Sequence, residues 1–207
     1  MGDNDVAENG KFSAILMFGC PGSGKGTQGV VIGQMPNLVH LAMGDIFRGL
    51  DKESPLGRDF RAYAGKGLLV PDELTIRVFR QCITDKVADG TVRRDYHTLL
   101  LDGIPRTTSQ VELLRDFIDV RRIVHLVMQD RDALIRRLSA RAAKSNRPDD
   151  ADPGVIRKRI EVYERETYPV LDAYPKKLIA NVNADQHPLA VLRDVAESLI
   201  ETVPGAI

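Results

Sequence analysis

Short apolar runs that stop at glycine or at charge alternate with stretches of helical period along most of this chain. Residues 12–18 (FSAILMF) run into a Gly-Pro-Gly loop. Their length and the glycines that follow read as a buried strand rather than a helix fragment. After Lys25, TQGVVIGQM supports a helix, although each of its two glycines costs about 1 kcal/mol relative to alanine. Residues 38–43 read as a second strand. Three more runs repeat the logic: 98–102 (TLLLD) stops at Gly103, 123–128 (IVHLVM) at a charged segment and 177–182 (KLIANV) at a polar one. Between them lie helical patterns over 74–87, 109–117, 153–167 and 189–202. Asp152 before Pro153 is an N-cap followed by a first-turn proline, and Ile156, Ile160 and Tyr163 then share one face. The pattern predicts an α/β fold: three layers, with a five-stranded parallel sheet between helices.

Two stretches depart from this alternation. Residues 44–73 are charged and contain glycine, and read as a small helical insertion over the C-terminal edge of the sheet. Residues 141–152 (RAAKSNRPDDAD) are short and polar, and read as a cover or short lid. The core then comprises 11–43, 74–140 and 153–207. Residues 1–10 are expected to be a disordered tail.

Composition narrows the function classes. The 207 residues are 43% hydrophobic, enough for a sizeable core, and 28% charged, as in soluble globular proteins. Lys plus Arg and Asp plus Glu are both 29. This balance, with no Trp and 5% aromatics, gives no case for nucleic acid. No run approaches the roughly 20 apolar residues of a membrane span. The polar, acidic start has no export signal, so cytoplasm is the expected location. Cys20 and Cys82 form no CxxC pair, which argues for a reduced setting and against zinc. His40, His97, His125 and His187 have no metal-ligand spacing and read as structural.

The chemistry begins at Gly19-Cys20-Pro21-Gly22-Ser23-Gly24-Lys25-Gly26-Thr27. Gly19-x-x-x-x-Gly24-Lys25 has P-loop spacing, between an expected strand and an expected helix. Glycines let the backbone aim N–H groups inward, and those amides, a helix N-terminus and a lysine ammonium favour an anion at one spot. Gly26 separates Lys25 from Thr27, where the generic motif has the hydroxyl directly after lysine. Arg137 and Arg141 are four apart and share a helix face.

GCPGSGKGTQ resembles the opening of the adenylate kinases, within the nucleoside monophosphate kinases. Further blocks follow in that family's order: Leu41 to Arg48, Gly65 to Leu74, Leu101 to Thr107 with Gln110, Arg137 to Arg141, Arg147 to Asp150, and Arg157 to Arg159. The similarity spans roughly 12–203. It implies a P-loop NTPase type fold and magnesium-dependent transfer of the γ-phosphoryl of ATP to AMP, giving two ADP, in a monomer. By resemblance, Gly22, Ser23, Gly24, Lys25, Gly26 and Thr27, with Arg137 and Arg141, hold ATP. Met43, Arg48, Val70, Gly103, Arg106, Gln110, Arg147 and Arg159 form the AMP side, with Gln110 reading adenine and Asp45 steadying the acceptor region. Lys25, Arg48, Arg106, Arg137, Arg141, Arg147 and Arg159 serve catalysis. Asp102 and Thr27 meet magnesium through water, with no direct protein ligand to a metal.

The pattern departs from the family at Met43, where a threonine usually contacts adenine, and at Ile104, where phenylalanine is usual. Thr107 and the Val70-Pro71-Asp72-Glu73-Leu74 run lean toward AMP rather than UMP or CMP. The acceptor stays open at this point between AMP and UMP/CMP or a broader range. A non-catalytic ATP sensor would lose Lys25 or the acceptor arginines, and neither is lost. Only five residues separate Arg141 from Arg147, matching the short-lid class.

Overall fold

The computed structural model describes residues 10–144 and 150–203. Five strands form one sheet: β1 (Phe12–Gly19), β2 (Leu38–Ala42), β3 (Thr98–Asp102), β4 (Ile118–Val127) and β5 (Ile179–Asn183). Their order is β2-β3-β1-β4-β5, and every pairing is parallel. The helices are α1 (Lys25–Ile32), α2 (Met43–Arg48), α3 (Pro55–Ala64), α4 (Asp72–Ala88), α5 (Thr108–Leu114), α6 (Arg131–Lys144), α7 (Pro153–Val162) and α8 (Pro188–Leu199).

Successive strand side chains point to opposite faces. Phe12, Ala14, Leu16 and Phe18 of β1 therefore join one apolar layer, with Leu99 and Leu101 of β3 and Ile76, Phe79 and Ile83 of α4. Ile15 and Met17 join the other, with Leu100, Val124 and Leu126, and with Val191, Val195 and Leu199 of α8. A strand between two helical layers has no polar face, which is why 14–18 is an unbroken apolar run. Each fully buried Leu, Ile or Phe contributes about 1.5–3 kcal/mol.

The expected three-layer α/β architecture is present, with shifted boundaries. β4 starts at Ile118, five residues before the apolar run. Its first half alternates, with Asp119 and Arg121 exposed and ion-paired at 2.9 Å. The pairing with β1 steps from Val120 to Arg122, leaving Arg121 as a bulge residue. Charge and bulge together hide this half from a search for apolar runs. β2 ends at Ala42, and Met43 opens α2 instead of closing the strand. The 109–117 pattern yields only Thr108–Leu114, because Thr107 caps the helix by accepting from Gln110 N (3.1 Å) and Phe117 O accepts from Phe12 N (3.0 Å). Asp152 caps α7 as expected. That helix becomes a π turn over Tyr163–Thr167.

Gly29 of α1 and Gly33 at its C-cap have a packing reason, since a Cβ at Gly33 would stand 2.6 Å from His40 Cβ. A Cβ at Gly29 would stand 2.5 Å from His40 Nε2, so the bare helix face lets the imidazole of β2 lie against it. The C-terminal ends of β1, β2 and β3 are nearly level: Ala42 and Met17 both pair with Asp102. The segments following β1, β2 and β3 therefore leave the sheet at one edge.

Candidate active site

Those segments, with α6 and α7, enclose a cleft of about 940 Å³. Gly24 has φ +102°, a left-handed conformation that L side chains rarely adopt. It turns the loop into α1, whose N-terminus has no side-chain cap and no acidic residue in its first turn. Backbone donors and the positive end of the helix dipole are thus left for an anion. Ser23 Oγ is buried there without a hydrogen-bond partner. Lys25 folds back over the loop, its Nζ donating to Gly19 O (2.6 Å) and Cys20 O (3.3 Å). Burial lowers its pKa to about 8; Asp102 opposes that shift and Arg106 adds to it. Cys20 packs among Leu134, Leu138, Ile156 and Ile160, and burial pushes its thiol up to about 11. Its backbone carbonyl, not its sulfur, meets Lys25. Cys20 and Cys82 are both free cysteines.

Asp102 closes β3. Its Oδ2 is 3.6 Å from where a Cβ at Gly26 would stand, so the carboxylate lies over the first turn of α1, at the residue before exposed Thr27. Across the cleft, two arginines lie over glycine backbone. Arg48 Nη2 donates to Asp45 Oδ1 at 2.6 Å, and its guanidinium passes 2.8 Å from a Cβ position at Gly44. Arg106 Nε donates to Gly103 O at 3.0 Å, and its Nη2 is likewise 2.8 Å from a Cβ position at Gly103. Any larger residue at 44 or 103 displaces the guanidinium. Met43 and Val70 are buried in the apolar cluster that includes Phe47, and both line the cleft. Phe47 stacks on Phe60 of α3 at 5.1 Å, tying α2 to α3 within the 44–73 stretch.

On the far wall, Arg137 Nη1 donates to Ala184 O at 3.3 Å. Arg141 Nε donates to Asp150 Oδ2 at 2.6 Å, and Arg159 bonds the other oxygen of the same carboxylate. Asp150 is fully buried. Burial would raise its pKa, but the Arg141 hydrogen bond and the Arg159 charge outweigh that and hold it below the usual carboxylate range. It fixes two long cationic side chains from different helices toward one place. The sequence signalled only a charge in the cover segment. Arg147, and residues 145–149 of the expected lid, lie outside the described residues, as do 1–9 of the expected tail.

The cleft thus brings together Gly22 to Thr27, Met43, Arg48, Val70, Asp102, Gly103, Arg106, Gln110, Arg137, Arg141 and Arg159. Gln110 is buried, with Oε1 accepting from Arg106 N (2.7 Å) and Nε2 donating to Asp72 Oδ1 (2.8 Å). Asp72 is a second residue whose part was not legible from the sequence. Five fixed arginines and a lysine facing one cleft suit a polyanion.

Comparison with known proteins finds relatives over most of the chain. The family profile described as adenylate kinase matches residues 17–179. The chain is 36% identical over 179 residues to an adenylate kinase of Cyanothece sp., covering 83% of this chain and 87% of that protein. It is 37% identical over 175 residues to one of Bifidobacterium longum, covering 82% and 90%. To one of Bacillus subtilis it is 33% identical over 218 aligned positions, covering 89% and 97%.

Proposed function

Since the chain belongs to the adenylate kinase family, we propose that its cleft carries out ATP + AMP ⇌ 2 ADP, with the phosphate loop as the donor half and Arg48 and Arg106 as the acceptor half. The single observation that carries this division is the placement of cations on both sides of one cleft. An uncapped helix N-terminus with Lys25 lines one side, and two glycine-seated arginines line the other.

Phosphoryl transfer asks for little covalent help. The acceptor phosphate is already an ionised nucleophile, so no general base is required. The difficulty is to crowd two anionic chains in line, which fixed positive charge relieves. The amides of Gly22 and of Gly24 to Thr27, with the Ser23 hydroxyl, receive the donor phosphates, while the Ser23 N–H donates to Cys20 O within the loop. Lys25 turns from its own loop carbonyls to them, and their negative charge restores the proton affinity that burial removes. Arg48 and Arg106 grip the monophosphate, each able to present a planar fork of donors. Arg137, Arg141 and Arg159 converge where charge passes between the two, with Asp150 as the anchor for the last two. Arg147 completes this set in the proposal.

Asp102 and Thr27 fit a magnesium ion held through its water shell: a strand-end carboxylate lies over Gly26, one residue from an exposed hydroxyl. When bound, the ion supplies neutralisation of the donor oxygens. The reading extends to 44–73 as the acceptor insertion, 141–152 as a short lid, and a cytoplasmic monomer. Among the described residues no helix is long and apolar enough to cross a membrane.

A coupled assay with ATP-Mg and AMP, CMP, UMP and GMP tests the reading. AMP is expected to give the highest kcat/KM, and a higher value for CMP or UMP overturns the acceptor assignment. Met43→Thr restores a hydroxyl at the cleft wall. One neutral hydrogen bond is worth about 0.5–1.5 kcal/mol, so AMP should gain up to about tenfold over CMP. Unchanged ratios across the panel would remove Met43 from base selection.

A further inference from the structure

We propose that Asp72 is a specificity-determining positioning residue: it locks the side-chain amide of Gln110 in one of its two flip states and so makes the acceptor pocket distinguish a 6-amino from a 6-oxo purine. This rests on the reading of Gln110 as the residue facing the acceptor base.

A glutamine amide has a donor end and an acceptor end of nearly equal shape, and its neighbours decide which faces where. At Gln110 those neighbours have fixed roles. The backbone N–H of Arg106 can only donate, and it meets Oε1 at 2.7 Å. The carboxylate of Asp72 accepts, and it meets Nε2 at 2.8 Å. Turning the amide over would set oxygen against carboxylate and N–H against N–H. The carboxylate is itself held from the other side, since the Thr107 hydroxyl donates to its Oδ2 at 2.9 Å. That hydroxyl also accepts from Gln110 N, so its single proton is committed to Asp72. Asp72 opens α4, 38 residues before Gln110 in the sequence, and a carboxylate in a first helical turn also suits the helix dipole.

The lock leaves one N–H of Nε2 and one lone pair of Oε1 for a ligand. Adenine presents a matching edge: its N1 accepts and its 6-amino group donates. A 6-oxopurine presents the reverse, with N1–H donating and O6 accepting, and would need the flipped amide. A buried polar group matched to one edge rejects the other strongly, because the wrong ligand leaves both partners unpaired. In this arrangement Asp72 does not touch the nucleotide and exerts its effect through Gln110.

The test compares AMP and IMP as acceptors in the full enzyme. Asp72→Asn keeps size and shape but can offer Gln110 either an N–H or an oxygen, so the flip state is no longer imposed from that side. The expected result is a fall of about tenfold or more in the AMP-to-IMP ratio of kcat/KM, carried by KM for the monophosphate, with KM for ATP within about twofold and an unchanged fold by circular dichroism. Gln110→Ala separates the two levels of the claim. A loss of discrimination in Gln110→Ala with an intact ratio in Asp72→Asn overturns the lock and spares the base-reading role. An intact ratio in both overturns base reading by Gln110 and the lock with it. A second readout needs no variant. In the nucleotide-free enzyme the Gln110 side-chain amide must give a ¹⁵N–¹H pair with one proton protected from solvent exchange and a single state before and after AMP is added. Rapid exchange of both protons overturns the proposal.

Discussion

In the function proposed above, the two halves of the cleft are built differently to hold phosphate. On the donor side the ligand meets backbone: a loop whose Gly24 takes a left-handed turn, and a helix N-terminus with no cap of its own. On the acceptor side it meets side chains, and those are held by other side chains. Arg48 is held by Asp45, Gln110 by Asp72, and Asp72 by Thr107. The backbone construction comes from adjacent residues and folds locally. The Gln110–Asp72–Thr107 part of the side-chain construction exists only once α4 and α5 have docked, whereas Arg48 and Asp45 meet within α2. The first should therefore tolerate changes in its surroundings and fail at one residue, Lys25. The second should fail by degrees, with selectivity lost before transfer.

The largest effect is expected at Lys25. Replacing it with methionine keeps the length and removes the only side-chain charge in the loop. Removal of one preorganised charge at a developing anion costs 10²–10³-fold or more, so kcat should fall by about 10³-fold with the fold intact. A variant within tenfold of the parent would mean that the loop amides suffice alone. The wild-type protein offers a milder version through pH. With its pKa lowered to about 8 before nucleotide binds, Lys25 is charged below that pH and neutral above it. Nucleotide raises the pKa, so binding takes up a proton above pH 8 and affinity for ATP falls as pH rises further. Calorimetry in two buffers of different ionisation heat measures that uptake. Its absence at pH 8.5–9 would contradict the assignment.

Arg106 tests the other half. Arg106→Ala removes a guanidinium that bridges the Gly103 backbone and the cleft. It also leaves the backbone N–H that orients Gln110 in place. The expected loss is about 10²-fold in kcat/KM for AMP, as for a charge-assisted contact, with ATP binding by calorimetry nearly unchanged. Equal losses on both substrates would erase the division into halves.

This contrast also explains what the sequence disclosed. The phosphate loop is written in nine consecutive residues, and its strand and helix flank it directly, so fold class and the proposed donor site are both legible. The five-strand alternation is legible because strands buried on both faces read as apolar runs. The first half of β4 was hidden by Asp119, Arg121 and Arg122, since an edge that faces water needs no apolar pattern. Asp72 and Asp150 were visible as residues but not as anchors. The partners of Asp72 are 35 and 38 positions away, and Asp150 is buried only because two arginines of different helices meet on it. No local period records such a meeting. Gly29 and Gly33 were read as a cost, because the histidine they make room for sits on another element.

Those glycines supply the smallest and most discriminating test, for they separate glycine that serves phosphate from glycine that serves packing. Gly29 lies within the donor helix but faces β2, where its added Cβ would meet His40 Nε2 at 2.5 Å and two further ring carbons at 3.0 Å. Alanine gains about 1 kcal/mol of helix propensity, and overpacking a buried contact costs about 1–3 kcal/mol. Gly29→Ala should therefore destabilise the wild-type protein by up to about 2 kcal/mol, read as a lower urea midpoint, while KM for ATP stays within about twofold. In a His40→Ala background the ring is gone and the propensity gain stands alone, so the same change should stabilise by up to about 1 kcal/mol. The reversal of sign is the test, since a cycle of the two changes isolates their coupling from any general weakening of the fold. If Gly29→Ala destabilises equally in both backgrounds, the imidazole is not what this glycine accommodates. If instead it raises KM for ATP in both, Gly29 belongs with the phosphate loop, and the backbone construction of the donor half reaches a full turn further into α1 than the cleft geometry implies.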